Sequence, residues 1–150
     1  MKLFKYKADT IPALIILGYT CLDFLVFFNV QNIWLVSAWM LIGIGPKACI
    51  CSWNHHHQHV ATFIHKFPNR IMDLSYALHT GITTNAWVLH HVLGHHVNYL
   101  DQEKDESRWM RKDGSTMGTI EYTLHTAVWG YIKSFRVGRN YPKYLSLIHI

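Results

Sequence analysis

The sequence predicts an all-α integral membrane protein, in which an N-terminal transmembrane helical hairpin is followed by cytoplasmic helices rich in histidine. Two apolar segments of 18 residues, 11–28 and 33–50, lie near the N-terminus. Ten of the twelve histidines fall between His55 and His96. Half of the 150 residues are hydrophobic and only 15% are charged, and the charges lie mostly outside the apolar segments. This division predicts a membrane anchor followed by a more polar portion.

Each apolar segment has the length of a membrane-spanning helix. Eighteen residues form about 27 Å of α-helix, close to the roughly 30 Å of a hydrocarbon core. Only four residues, NVQN, separate the segments, which favours a tight turn. Lys2, Lys5 and Lys7 precede the first segment and Lys47 ends the second. By the positive-inside rule we predict that the N-terminus and the histidines are cytoplasmic.

Three features of the apolar region leave questions for the structure. Buried helices of a soluble protein are the alternative to spanning helices, whereas no cleavage site supports a signal peptide. Asp23 lies inside the first span and must either approach the far interface or face another helix. Pro46 is expected to loosen the second helix at its cytoplasmic end, so that the chain changes direction there.

The composition also excludes two classes. The formal net charge of +5 comes from residues that flank the apolar segments rather than from a dense basic run, so we predict no nucleic-acid partner. Cys21, Cys49 and Cys51 have no framework spacing, which disfavours a disulfide scaffold. We leave the cysteines out of the candidate site.

Two segments concentrate the histidines. His55 and His59 are four residues apart, as are His91 and His95, so each pair projects from one face of an α-helix, and His96 adds a third imidazole beside the second pair. Imidazole binds iron, zinc, copper and nickel, and five of them exceed the need of one zinc ion. The spacing predicts two metals, or one metal with a redundant shell. The isolated histidines are expected to be solvated or hydrogen-bonded: His65, His79, His125 and His149.

A His-x-x-x-His box followed by a His-x-x-x-His-His box, after a membrane hairpin, resembles the membrane fatty acid desaturase family. The segments WNHHHQHV, AWVLHHVLGHHVNYLDQ, DESRW, RKDGS and EY are also similar to a bacterial branch of that family in order and spacing. The resemblance covers residues 33 to 145.

The resemblance implies a non-haem di-iron centre that activates O2 and removes two hydrogens from the acyl chain of a lipid or thioester. It also implies an electron donor such as ferredoxin or cytochrome b5. The implied iron ligands are His55, His59, His91, His95 and His96. Four further residues either orient these ligands or bind in an alternative register: Asn54, His56, His57 and His90. Trp53 and Trp87 are weaker candidates for supporting contacts. The charged segment 101–115 either covers the site or meets an electron donor, or is a plain solvated loop, which is the favoured expectation.

The sequence departs from the family pattern after the second box. A third histidine box is absent, and residues 118–145 contain no apolar run long enough for the second pair of spans. The last six residues, LSLIHI, match one translation of a sequencing-library adapter. We therefore expect residues 1–144 to be the N-terminal part of a desaturase domain and 145–150 to be an artefact. Such a fragment is expected to be inactive by itself.

Three alternatives stay open. A related di-iron alkyl-chain hydroxylase or monooxygenase would use the same boxes. A non-enzymatic membrane metal-binding module would bind exchangeable zinc, copper or nickel. A metal-dependent hydrolase would need a carboxylate base near the metal, but neither box contains one and the nearest acid along the chain is Asp101.

Overall fold

The computed structural model describes residues 2–145, and within this range the chain is helical, without strands. Its two backbone bridges, between Phe4 and Phe63 and between Met110 and Thr116, are isolated. The chain divides into two compact units, Met1–Ile82 and Thr83–Ile150. The first unit contains α1 (Thr10–Asn29), α2 (Ile33–His59) and α3 (Lys66–Thr80). The second contains α4 (Thr84–Trp87), a π-helix (Val88–His95), a 3-10 turn (His96–Asn98), α5 (Thr119–Gly138) and α6 (Pro142–Leu145).

Two helices in the described range are long and apolar enough to cross a membrane: Lys7–Asn29, which adds a 3-10 turn before α1, and Ile33–His59. Most of their large apolar side chains are exposed, and only Ala13 and Ile16 of α1 are buried. A core helix of a soluble protein would bury such side chains. Two long apolar helices therefore start close to the positions that the sequence predicts.

The second of these helices is longer than the sequence predicted. It continues without interruption through Pro46 and ends at His59 rather than near residue 50. The expected change of direction at Pro46 is wrong. Proline removes one backbone hydrogen bond, but no glycine or second proline follows between Lys47 and His59 to end the helix. The first histidine box consequently lies on the last turns of α2, not on a separate helix.

The core of the first unit joins its three helices to the N-terminal segment. It consists of buried side chains from the three helices and from the segment between α2 and α3: Ala13, Ile16, Ile50, Phe63, Met72 and Tyr76. The rings of Phe4 and Phe63 lie 4.8 Å apart, and Lys5 N donates to Thr62 O at 3.0 Å. The Asn69 side chain bonds both the N–H and the carbonyl of Phe63. The start of α3 is thereby held beside the start of α1.

Asp23 faces neighbouring helices. Its carboxylate accepts a hydrogen bond from Trp39 Nε1 at 2.8 Å and pairs with Lys47 Nζ at 2.9 Å, both on α2. His79 Nδ1 of α3 lies 3.4 Å from the same carboxylate, and His79 Nε2 is 2.9 Å from Thr20 Oγ1. The open question about this half-buried acid is thus answered by its partners on neighbouring helices.

The second unit is built around the π-helix. Helix α5 packs against this π-helix. Ser134 Oγ of α5 also donates to Ala86 O of the preceding helix α4 at 3.3 Å. Lys133 Nζ donates to the carbonyl of Glu106 at 2.7 Å. From the sequence, residues 145–150 are expected to be an adapter artefact. Leu145 is the last residue of α6, and residues 146–150 lie outside the described residues. That prediction stays untested.

Candidate metal centre

The first histidine box is an exposed imidazole pair on the last turns of α2. The rings of His55 and His59 have centroids 5.0 Å apart, as expected for residues one turn apart. Both side chains are exposed. The pair therefore offers two nitrogen ligands from one helical face.

His57 and Asn54 face the interior of the first unit. His57 Nδ1 accepts a hydrogen bond from Thr62 N at 3.2 Å, and His57 Nε2 lies 3.3 Å from Asp73. Because a backbone N–H only donates, the proton of this imidazole is assigned to Nε2. Both ring nitrogens are thus engaged, and His57 joins α2 to α3. Asn54 is buried inside α2 and accepts from Gln58 Nε2 at 3.0 Å, so it is not a helix-terminal amide.

His56 differs from both groups. Its ring is exposed, and its Nε2 lies 3.8 Å from an oxygen of Asp9. This is a long contact at the surface, with little energetic weight.

The second histidine box lies on a π-helix, and this changes which histidines meet. In an α-helix, residues five apart differ by about 500°, or 140° beyond one turn, so His91 and His96 would point apart. The wider π-turn of Val88–His95 follows an i to i+5 pattern. The Nε2 atoms of His91 and His96 accordingly lie 3.0 Å apart. Sequence spacing had paired His91 with His95, whose ring centroids are 5.5 Å apart.

A buried carboxylate holds His95. The two oxygens of Asp105 lie 2.8 and 2.9 Å from His95 Nδ1, and the Asp105 side chain is fully buried. Ser107 N donates to the same carboxylate at 2.7 Å. An imidazole that donates from Nδ1 to a carboxylate presents Nε2 for a metal, a common arrangement in metal sites.

Sequence reasoning missed Asp105, because it favoured a solvated loop for segment 101–115 over a segment that covers the site. Asp101, the nearest acid along the chain, instead accepts hydrogen bonds from Glu103 N and Lys104 N in an exposed turn. The sequence offered one indication of Asp105, namely an acidic residue after the second box. No hydrophobic periodicity marked this residue as buried.

His90 points to a different environment from its neighbour His91. Burial, followed by the nearby charges of Lys133 and His95, lowers the pKa of His90 to about 4. Its Nε2 is inaccessible to solvent and has no hydrogen-bond partner among residues 2–145. Burial also lowers the pKa of Lys133 and raises that of Glu106. His90 of the second box thus lies near the partly desolvated charged side chains of Lys133 and Glu106.

Trp87 lies against the second box. Its ring centroid is 4.9 Å from that of His91, at 39°. The indole thereby limits the positions open to the His91 ring. Trp53, by contrast, packs on the apolar core of the first unit.

The geometry of the second box fits a metal ion. Two nitrogens bound to one ion at about 2.1 Å and at a right angle are about 3.0 Å apart. His91 and His96 Nε2 already have this separation. Imidazoles accept iron, zinc, copper and nickel alike, so the donor set fits iron without selecting it.

The observations define a helical protein with two segments of membrane-spanning length and a histidine-rich candidate metal site. The family model described as Fatty acid desaturase matches residues 32–148, which include both boxes. The chain therefore belongs to the fatty acid desaturase family, a family of oxidoreductases. The resemblance found from the sequence is confirmed. A search of curated proteins and a search of solved structures gave no significant match.

Proposed function

We propose that this chain carries two histidine boxes of a membrane-bound, O2-dependent fatty acid desaturase with a non-haem di-iron centre. The proposed iron ligands are His55, His59, His91, His95 and His96. The observation that carries the proposal is the second box: the His91 and His96 Nε2 atoms are 3.0 Å apart, and Asp105 holds His95. Membership of the desaturase family makes iron the expected metal.

The reaction converts a saturated pair of methylene carbons into an alkene. Two hydrogens leave the acyl chain, O2 is reduced to two waters, and a donor of the ferredoxin or cytochrome b5 type supplies two electrons together with two protons. Bound iron would supply the oxidising power that removal of hydrogen from an unactivated carbon needs. The chain's own groups hold the site: Asp105 orients His95, and neutral imidazoles leave more positive charge at the metal than carboxylates would.

Helix lengths support a position for the first box just outside the bilayer. At 1.5 Å per residue, the 27 residues of α2 extend about 40 Å, whereas the hydrocarbon core is roughly 30 Å thick. If the N-terminal part of α2 spans this core, the last turns with His55 and His59 project from it. The lysines before α1 favour the cytoplasmic side. We therefore propose a multi-pass membrane protein with cytoplasmic histidine boxes and an acyl-lipid or acyl-thioester substrate.

The test combines metal and product analysis. Protein from the uninterrupted reading frame of the source DNA is purified, its metal content is measured, and it is incubated with saturated acyl lipid, O2 and a reduced donor. We expect bound iron and an alkene product, both lost in the double variant His91→Ala/His96→Ala. His56→Ala is the matched control, because His56 is exposed and its contact with Asp9 is long.

Each alternative has its own outcome. An oxygenated product without an alkene would establish a hydroxylase or monooxygenase. Tightly bound zinc without iron, and no dependence on reductant, would establish a metal-binding module. The same reading frame tests the expectation of a third box, and the 150-residue chain alone is expected to form no alkene.

A further inference from the structure

We propose that α3 is a re-entrant helix that enters the lipid layer beside α1 and α2, ends near mid-depth, and is covered on its outer face by acyl chains. This inference rests on the proposed membrane insertion of α1 and α2. It differs from the sequence-based expectation that the helices after the hairpin are cytoplasmic.

The C-terminal end of α3 lies at the middle of α1. His79, the penultimate residue of α3, has its Nε2 2.9 Å from Thr20 Oγ1 and its Nδ1 3.4 Å from the Asp23 carboxylate. Thr20 follows Thr10 by ten residues, or about 15 Å along the helix. If α1 spans the bilayer, these contacts bring His79 near the bilayer centre.

The N-terminal end of α3 lies beside the N-terminal end of α1. Asn69 bonds to Phe63, and Phe63 forms a bridge with Phe4, which precedes α1. The 15 residues of α3 extend about 22 Å. A helix that starts at the level of Phe4 and reaches Thr20 must run along α1, not across its end. An orientation in the plane of the membrane would separate His79 from Thr20.

The surface of α3 is suited to lipid along its outer face. Four large apolar residues at spacings of four, three and four form an exposed stripe, defined by Phe67, Ile71, Leu74 and Leu78. On the other face Met72, Ser75 and Tyr76 are buried within the first unit. The charged residues Lys66, Arg70 and Asp73 all lie in the first half of the helix, the shallow end. Helices α1 and α2 also expose large apolar side chains, for which lipid is the proposed solvent.

Several polar groups at the deep end of α3 have partners within the protein. Gly81 adopts a positive φ of 71° and its N–H closes the helix on Ala77 O at 2.9 Å. Thr80 Oγ1 donates to Tyr76 O at 2.8 Å. The His79 side chain is 1% exposed and reaches Thr20 and Asp23. Because lipid offers no hydrogen bonds, these contacts within the protein favour a helix end at membrane depth.

Spin labels measure this depth directly. In a background with Cys21, Cys49 and Cys51 replaced by serine, nitroxides are attached to Phe67→Cys, Ile71→Cys, Leu74→Cys and Leu78→Cys in phosphatidylcholine–phosphatidylglycerol vesicles. Collision with O2, which concentrates in lipid, is compared with collision with a water-soluble nickel complex. We expect the ratio to rise steadily from Phe67 to Leu78, which are about 16 Å apart along the helix. Leu14→Cys on α1 and Lys112→Cys in the loop give the lipid and water limits.

The outcomes separate this inference from the proposed function. Equal ratios at all four positions would establish a helix in the plane of the interface and overturn the proposal. Immobile labels reached by neither reagent would show protein cover, such as a second copy of the chain, and would also overturn it. If Leu14→Cys is in lipid but Leu78→Cys is in water, only the placement of α3 fails. If Leu14→Cys is itself in water, the membrane proposal fails and α3 with it.

Discussion

The carboxylate of Asp105 lies 2.8 Å from Nδ1 of His95, and the Asp105 side chain is fully buried. A buried carboxylate is costly unless it is hydrogen-bonded, and here it accepts bonds from His95 and from Ser107 N. This relationship connects a segment that the sequence presents as a charged loop to the second histidine box.

The first prediction concerns this contact. Asp105→Asn should weaken metal binding by about 10- to 100-fold, because the amide orients the His95 ring less strongly than a carboxylate. Competition titration of the purified protein with a chelator measures the affinity. Asp101→Asn is the matched control, since Asp101 serves an exposed turn. Equal affinities for the two variants would contradict the assigned role of Asp105.

The second prediction separates structural from metal-binding histidines. His57→Ala should lower the melting temperature, because it leaves the buried Thr62 and the half-buried Asp73 without the imidazole. The loss corresponds to about 1–3 kcal/mol for each unsatisfied buried group. His96→Ala should instead leave the melting temperature of the metal-free protein nearly unchanged and reduce metal binding. Thermal unfolding with and without metal checks both predictions. If His96→Ala lowered the melting temperature of the metal-free protein and His57→Ala reduced metal binding instead, the two assigned roles would be wrong.

The third prediction concerns the pair Asp23 and Lys47. Asp23→Leu should lower the melting temperature, because it leaves Lys47 and the indole N–H of Trp39 without their acceptor. Adding Lys47→Leu should restore part of the loss, since the unpaired charge is then removed as well. Thermal unfolding in detergent measures the three variants. A double variant less stable than Asp23→Leu alone would show that the pair is not coupled in this way.

The fourth prediction uses glycine packing in the second unit. A Cβ at Gly94 would lie 2.8 Å from Glu106 Cγ and 3.2 Å from Leu89 O, whereas a Cβ at Gly130 would meet nothing within 4 Å. Gly94→Ala should therefore destabilise the protein by about 1–3 kcal/mol through overpacking. Gly130→Ala, on helix α5, should be neutral or slightly stabilising. Unfolding measurements that rank the two variants in the opposite order would disprove the packing of the loop on the π-helix.

The local patterns predicted much of the first unit. The apolar run of α1 and the start of α2 follow from composition, because a long run of mostly apolar residues is typical of one membrane-spanning helix. The end of α2 was predicted too early, because the effect of Pro46 depends on whether the following turns continue the helix. The pairing of His55 with His59 followed from α-helical periodicity, which holds there.

The second box shows why periodicity alone is insufficient. Its residue types predicted a metal site, but the pairing of His91 with His96 depends on a π-helix that α-helical spacing does not anticipate. The π-helix is packed against α5, and Gly94 admits the side chain of Glu106 beside it. Such packing involves residues distant in the sequence, so no short pattern encodes it.

The sequence by itself determined the family, the two apolar helices and the residue types available to a metal, because these depend on composition and on short motifs. Only the tertiary structure decided the partners of the buried polar groups: Asp105 for His95, Asp73 for His57 and His79 for Asp23. Each of these pairs joins different segments of the chain. Most buried polar groups in proteins have a hydrogen-bond partner, but which one is set by how the helices pack.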